Sequence, residues 1–286
     1  MKRALILVLT AATSLFAIEA NYGPRKDHLQ TRSGTDTFVD WTAGYISARA
    51  EVQIEDIRSG GGITRARDEA TEKARELALS RALATLSGLP INGKRTIESE
   101  MRRDENLAMR MGRVSSLPFE RSRQVAEGNV TVELILPFYG KRGFYSKLRA
   151  QQNEVVPEIK HNNPEDEITG ILIDASETNL QPVLEPRILT DQGRLIYGPG
   201  QADRSCYGAR GLASFHLSRE LARKDRRLGE SPYLLYATTR PGANGDLFIS
   251  SQDAVRILGS KTGRTALRMC EVVIMLGPGR TDRQAE

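Results

Sequence analysis

Histidine and cysteine are scarce in this chain, with 3 His and 2 Cys among 286 residues, the Cys at positions 206 and 270. A zinc site of three or four Cys and His ligands would consume nearly all of them, and their spacing forms no cluster, so zinc chemistry drops out. Beyond the first 20 residues no apolar run is long enough to cross a bilayer, and no integral membrane span is expected in the mature chain. Neither sign of charge dominates: 41 Lys plus Arg face 36 Asp plus Glu, and 39% of residues are apolar. That balance excludes a disordered polymer and suffices for one or two packed domains. No nucleophile stands beside a base, and no acid–base pair is legible. The expectation is a non-enzymatic protein without catalytic residues, metal or cofactor.

The chain starts with the basic residues Lys2 and Arg3 and continues apolar from Ala4 to Phe16, interrupted only by Thr10, Thr13 and Ser14. This reads as a secretory signal peptide over residues 1–20, cleaved after Ala20 or, alternatively, Ala17, and it places the mature protein in the periplasm. Residues 21–37 are polar and read as an extended leader.

Two modules follow. In residues 45–54, Ile46, Ala48, Ala50, Val52 and Ile54 alternate with Ser47, Arg49, Glu51 and Gln53, a strand with one wet face. Residues 64–86 carry Ala66, Ala70, Ala74, Leu77, Ala78, Ala82 and Leu86 at spacings of three and four, an amphipathic helix with an alanine stripe. A weaker helical pattern covers residues 97–111. Residues 119–125 and 130–136 flank Ala126-Glu127-Gly128-Asn129 as a β-hairpin. The first module, residues 38–150, is therefore an α+β unit: a small antiparallel-rich sheet packed by two helices. Residues 151–168, rich in Gln, Asn, Pro and acid, read as a linker.

The second module, residues 169–277, reads as mixed α/β. Strands are expected at 170–174, 183–189, 195–197 and 266–276, a helix at 212–228, and a hairpin of 233–239 with 246–250. Ser250 with Asp253 caps a short helix. Residues 278–286 form a tail.

The Gly-rich end of the first strand, the Ala70-Ala74-Ala78-Ala82 stripe, and Gly128-Asn129-Val130-Thr131-Val132 with Leu136-Pro137 and Gly140 together resemble the Lpp-twenty family of envelope lipoproteins. They also resemble the FlgT N-terminal-like domain of flagellar rings. The second module is similar to a segment found behind such domains in larger periplasmic relatives, through Asp174, Pro186, Arg187, Tyr197 and Gly198 and their neighbours. The resemblance covers most of residues 40–276. It implies a non-enzymatic envelope protein, in some relatives part of the flagellar basal region. Those lipoproteins carry an N-terminal lipidated Cys, which this chain lacks, so outer-membrane anchoring is not carried over.

Gly88 and Gly93-Lys94 match part of a phosphate-loop pattern, but Arg95 stands where Ser or Thr belongs and a helix precedes it, so a helix-to-helix turn is the expectation. His216 reads as a surface or packing residue, and Asp174 as a turn partner, with Arg187 a candidate for its cation. Cys206 and Cys270, the only two Cys of an exported chain, are expected to form a disulfide; the alternative is one packed and one exposed thiol. Residues 38–150 carry 19 basic and 15 acidic side chains, and Arg223-Lys224-Asp225-Arg226-Arg227 is the densest run, read as a solvated helix end. Without stacking aromatics in a basic patch, no nucleic-acid partner is expected. The strand Phe119, Arg121, Arg123 and Val125, alternating with Glu120, Ser122 and Gln124, is the candidate contact surface for envelope proteins or for a second copy. A soluble module for an anionic cell-wall ligand is the alternative.

Overall fold

The computed structural model describes residues 25–55, 62–148, 157, 167–241 and 245–277. The expected signal peptide, most of the expected linker and the tail lie outside them.

The leader is not wholly extended coil. Leu29 is buried and its carbonyl accepts from Trp41 N, which docks β1 (Gln30–Arg32) beside β2 (Thr37–Asp40). β3 (Tyr45–Gln53) follows, and then α1 (Gly62–Gly88) buries Ala70, Ala74, Ala78 and Ala82 as the alanine stripe requires. Leu77, expected on that stripe, is 39% exposed. Methyl-sized side chains let the α1 axis approach the sheet closely, and Ala50, Val130, Val132 and Leu134 pack against it.

Where one weak helix was expected, the chain forms a short hairpin of β4 (Pro90–Asn92) and β5 (Arg95–Thr96), then α2 (Ile97–Met101) and α3 (Glu105–Gly112). Thr96 caps α2 and Asp104 caps α3, so the two caps split the helical pattern. β6 (Phe119–Ala126) and β7 (Asn129–Pro137) form the expected hairpin around Glu127 and Gly128, both at positive φ, as a two-residue turn of this hand requires. The five strands order as β1-β2-β3-β7-β6, every pairing antiparallel, with β6 at the edge. A short α4 (Tyr145–Leu148) ends the described part of the module.

In the second module β8 (Gly170–Asp174), β9 (Arg187–Thr190) and β10 (Leu195–Tyr197) are followed by α5 (Arg204–Arg210), which carries Cys206 and had no expected counterpart. The helix expected over 212–228 is instead β11 (Ser214–His216) and α6 (Arg219–Arg223). Leu212 to Phe215 are buried without a break, as a strand covered on both faces demands and an amphipathic helix does not. β12 (Pro232–Tyr236) and β13 (Asp246–Ile249) are not a hairpin. They join different sheets, and an isolated bridge pairs Thr238, just past β12, with Phe248 of β13. α7 (Ser251–Gly259) starts at the expected Ser250 cap, and α8 (Lys261–Arg268) occupies the first part of the strand expected from 266. Cys270, at φ +57°, turns the chain out of α8 and into the short β14 (Val272–Met275).

Four of these strands form a wholly parallel sheet ordered β11-β14-β8-β12. Ala222 of α6 packs with Leu172 and Val273 on one face, while Ile171, Ile173, Val272 and Ile274 belong to the main core on the other. A three-stranded sheet, β10-β9-β13, stands beside it. The chain is thus α+β, an antiparallel module followed by an α/β one.

The main core is continuous across both modules. Trp41 meets Phe138 and Phe215 edge to face, and Tyr145 meets Tyr207 in the same way. Leu184 and Glu185 donate their N–H groups to the carbonyls of Pro90 and Ile91, and Gly140 donates to Gly208.

Candidate functional site

Arg187, singled out by the resemblance, opens β9 and donates its guanidinium to both carboxylate oxygens of Asp246, at 2.7 Å for Nε. It is therefore not the partner of Asp174. At the carboxyl end of β8, Asp174 accepts from Ser176 Oγ at 2.6 Å and from Arg219 Nη2 at 2.8 Å. Burial would raise this carboxyl's pKa, but the Ser176 and Arg219 hydrogen bonds outweigh it and hold it below the ordinary value. Pro186 is buried just before β9. Tyr197 is buried on β10 and donates to Leu212 O at 2.7 Å, so it braces β10 against the segment that leads into β11. Gly198 has ordinary room for a side chain, since a Cβ built on it would lie 3.5 Å from Gln201 Oε1. These five residues are framework, spread over both sheets.

Cys206 and Cys270 are disulfide-bonded, their Cα atoms 6.0 Å apart, within the range a bridge needs. The bridge ties α5 to the turn between α8 and β14.

Ser214, His216 and Asp225 form a half-buried cluster: Ser214 Oγ donates to Asp225 Oδ2 at 2.5 Å, and His216 Nε2 lies 2.9 Å from the same oxygen. A hydrolytic triad places His between Ser and the carboxylate, whereas here the carboxylate is central and Ser214 has no base. The cluster braces β11 against the segment after α6. Although burial opposes it, the bonds from His216, Ser214 and the Arg227 N–H keep the Asp225 carboxyl far below the ordinary range. A carboxyl lowered in the folded state stabilises fully above the unfolded value of ~3.9 and loses that contribution as pH falls through the folded value. Denaturant midpoints taken from pH 7 to pH 2 should therefore fall in wild type below about pH 4. Asp225→Asn should be less stable at neutral pH and lose less on acidification. Parallel profiles would remove this cluster from the account.

β6 sits at the sheet edge, with Arg123 to Ala126 exposed. Its alternation is broken by a bulge at Arg121, between the pairs Glu120–Leu134 and Ser122–Glu133. The expected face of Phe119, Arg121, Arg123 and Val125 is therefore divided. Phe119, Ser122 and Gln124 stand opposite Ile135, Glu133 and Thr131, away from α1, while Arg123 and Val125 stand opposite Val132 and Val130 on the α1 side. Arg121 turns inward, 5.6 Å from the Tyr45 ring and 3.6 Å from Glu133.

A concave cluster of charge lies where the modules meet. Asn92, Gly93, Lys94 and Arg95 of the β4–β5 hairpin, Arg103 between α2 and α3, and Arg187 and Asp246 of the second module line a cleft of about 340 Å³. The phosphate-loop-like segment thus forms a hairpin rather than the expected helix-to-helix turn. It does not form a nucleotide cradle either, since Lys94 N is already bonded to Asn92 Oδ1. A second recess near α5, about 410 Å³, is lined by Lys141, Ser146, Arg204, Tyr207 and adjoining glycines.

Residues 170–278 match the family model described as Treponema pallidum Tp0624, second domain. The matched region runs from β8 to just past β14. It contains both sheets of the second module, the disulfide, and one wall of the junction cleft, Arg187 and Asp246. It leaves out the five-stranded sheet, α1 and the Lys94 hairpin. No curated protein matches the chain.

The sequence reading missed Arg219, Asp225, Arg227 and Asp246 as structural charges. The basic run at 223–227 was visible, but burial of Arg227 was not, because its partners are backbone carbonyls distant in sequence.

Proposed function

We propose that the chain is an exported, non-enzymatic protein of the cell envelope that works by association, as a scaffold or accessory part of an envelope assembly such as the flagellar basal region. The observation that carries this reading is the edge of β6, which among the described residues pairs with β7 alone. It is the last strand of a five-stranded sheet, and its second half is solvent-exposed. An unpaired strand edge is a template for another chain's strand. The charged side chains Glu120 and Arg123, paired at 2.9 Å, favour solubility while the edge is free. The disulfide suits an oxidising compartment.

Hairpin geometry identifies the outward amides. Ala126 and Asn129 flank the two-residue turn and form a hydrogen-bonded pair, so pairing alternates and the N–H groups of Val125 and Arg123 point away from β7, while that of Gln124 points toward it. Arg123→Pro is therefore expected to remove association without a large loss of stability. Gln124→Pro is expected to cost about 1–3 kcal/mol by breaking the ladder to β7. Cross-linking in intact cells, with neighbours identified by mass spectrometry, should give cross-links in wild type that disappear in Arg123→Pro at an unchanged thermal midpoint. Identical neighbours in the two proteins, or none in wild type, would overturn the reading.

A further inference from the structure

We infer that the cleft at the module junction is a binding site for a phosphoryl-bearing ligand. Four cationic side chains, Lys94, Arg95, Arg103 and Arg187, reach it from three separate segments of chain. Two of them are already compensated: Arg187 by Asp246, and Arg95 by Glu100 at 2.9 Å. Lys94 and Arg103 are exposed and have no side-chain hydrogen bond or ion pair among the described residues. The cleft therefore holds two uncompensated positive charges, with two further guanidinium groups beside them. Concentrated like charge in a concavity raises the local concentration of a counter-ion.

The walls are fixed before any ligand arrives. β4 is bonded to the second module through Leu184 N to Pro90 O, 3.0 Å, and Glu185 N to Ile91 O, 2.8 Å. Gly245 has φ +84°, and a Cβ built on it would lie 2.8 Å from Gly93 N, so the β4–β5 turn and the start of β13 are in contact. Any side chain at 245 would push the hairpin and Asp246 apart. A pre-organised site loses less on binding than one assembled around its ligand.

The lining selects the ligand class. A metal cation is repelled by the net positive charge that Lys94 and Arg103 leave there. A nucleic acid is poorly served, because no aromatic side chain lines the cleft to receive a base. A lone carboxylate is planar and is satisfied by one guanidinium fork, whereas a tetrahedral phosphoryl group accepts from several directions at once, as cations on three segments offer. The volume of about 340 Å³ is at the lower end of small-molecule sites and admits a phosphoryl group with a small polar body. The inference does not depend on the association reading, since β6 is outside the cleft.

Titration calorimetry of the full chain with inorganic pyrophosphate tests it. Saturable binding is expected, weakening as salt is raised from ~0.05 to ~0.3 M. Lys94→Ala/Arg103→Ala should bind at least about tenfold more weakly at an unchanged thermal midpoint. Lys141→Ala/Arg204→Ala, which removes equal charge from the other recess, should bind as wild type does. Absence of saturable heat in wild type, or equal loss in both double variants, overturns a local site. Glycerol 1-phosphate and phosphatidylglycerol vesicles then separate a soluble phosphate ester from a lipid headgroup. Tricarballylate binding as tightly as pyrophosphate would overturn the phosphoryl preference.

Discussion

Arg227→Met is expected to destabilise the protein by roughly 3–5 kcal/mol, the range found when one partner of a buried charged network is removed. The Arg227 side chain is buried, with the residue 8% exposed. Its guanidinium donates to the carbonyls of Gly211 at 3.1 Å, Cys270 at 3.0 Å and Arg210. Two of those carbonyls end α5, and the third belongs to the turn that leads into β14. One side chain thus fastens the carboxyl end of a helix to the entry of a central strand. Methionine fills the space of the alkyl stem but leaves three acceptors without donors, each at a cost of about 1–3 kcal/mol when buried. Asp225, whose carboxylate accepts from Arg227 N at 2.9 Å, loses a nearby countercharge as well. Lys in the same place keeps the charge but lacks the planar fork, so Arg227→Lys should fall between wild type and Met. Trp41, the one Trp of the chain and packed between Phe138 and Phe215, reports unfolding of the junction by fluorescence. A denaturant midpoint within error of wild type would show that solvent replaces the guanidinium at these carbonyls.

How far the sequence foretold this arrangement depends on where each residue finds its partners. α1 and the β6–β7 hairpin were legible because their signals are local: alanine at every fourth position, and alternating Val130, Val132, Leu134 and Leu136 beside a Glu127-Gly128 turn. The parallel sheet was legible only as apolar runs. β11 was read as helix because Leu212 with Phe215, and Leu221 with Leu228, fall at helical spacings by coincidence, and a buried strand has no polar phase to contradict it. α8 was not expected, residues 266–276 reading as one strand; Cys270, not Gly, takes the left-handed conformation that ends this helix, so no stop signal marked it. The bulge at Arg121 was invisible as well. It exists because Arg121 satisfies Glu133 and Tyr45 across the sheet, a contact that no periodicity encodes.

The junction cleft shows the same limit from the functional side. Lys94 and Arg95 were noticed inside a phosphate-loop-like string, and Arg187 inside a family motif, but nothing in the sequence relates the two segments. They meet because β4 bonds to the chain just before β9, and because Gly245 lets β13 start against Gly93. Residues 92 intervals apart in sequence are of no use to a pattern of spacing 2 or 3.6, so cation clusters of this kind emerge only when the chain is folded.

Removing the disulfide as Cys206→Ala/Cys270→Ala is expected to lower stability by roughly 2–4 kcal/mol in the chain-entropy view, because the bridge closes a loop across a sequence separation of 64. The effect should concentrate in one place. α5 is a helix of 7 residues, too short to persist alone, and besides the bridge it is held by Arg210 to Glu271, by Tyr207 against Tyr145 and by the Arg227 contacts at its end. Without the bridge, amide exchange should quicken in α5 and, through Gly140 N to Gly208 O, in the segment between β7 and α4, while β3 and β7 keep their protection. Because Arg227 donates to the carbonyl of Cys270 itself, the two perturbations share a partner, and Arg227→Met combined with loss of the bridge should cost less than the two losses added. Strict additivity would mean that the bridge and the guanidinium hold α5 independently. An unchanged midpoint on reduction, with two thiols titrated afterwards, would show that packing alone secures the helix and that the bridge contributes no net stability.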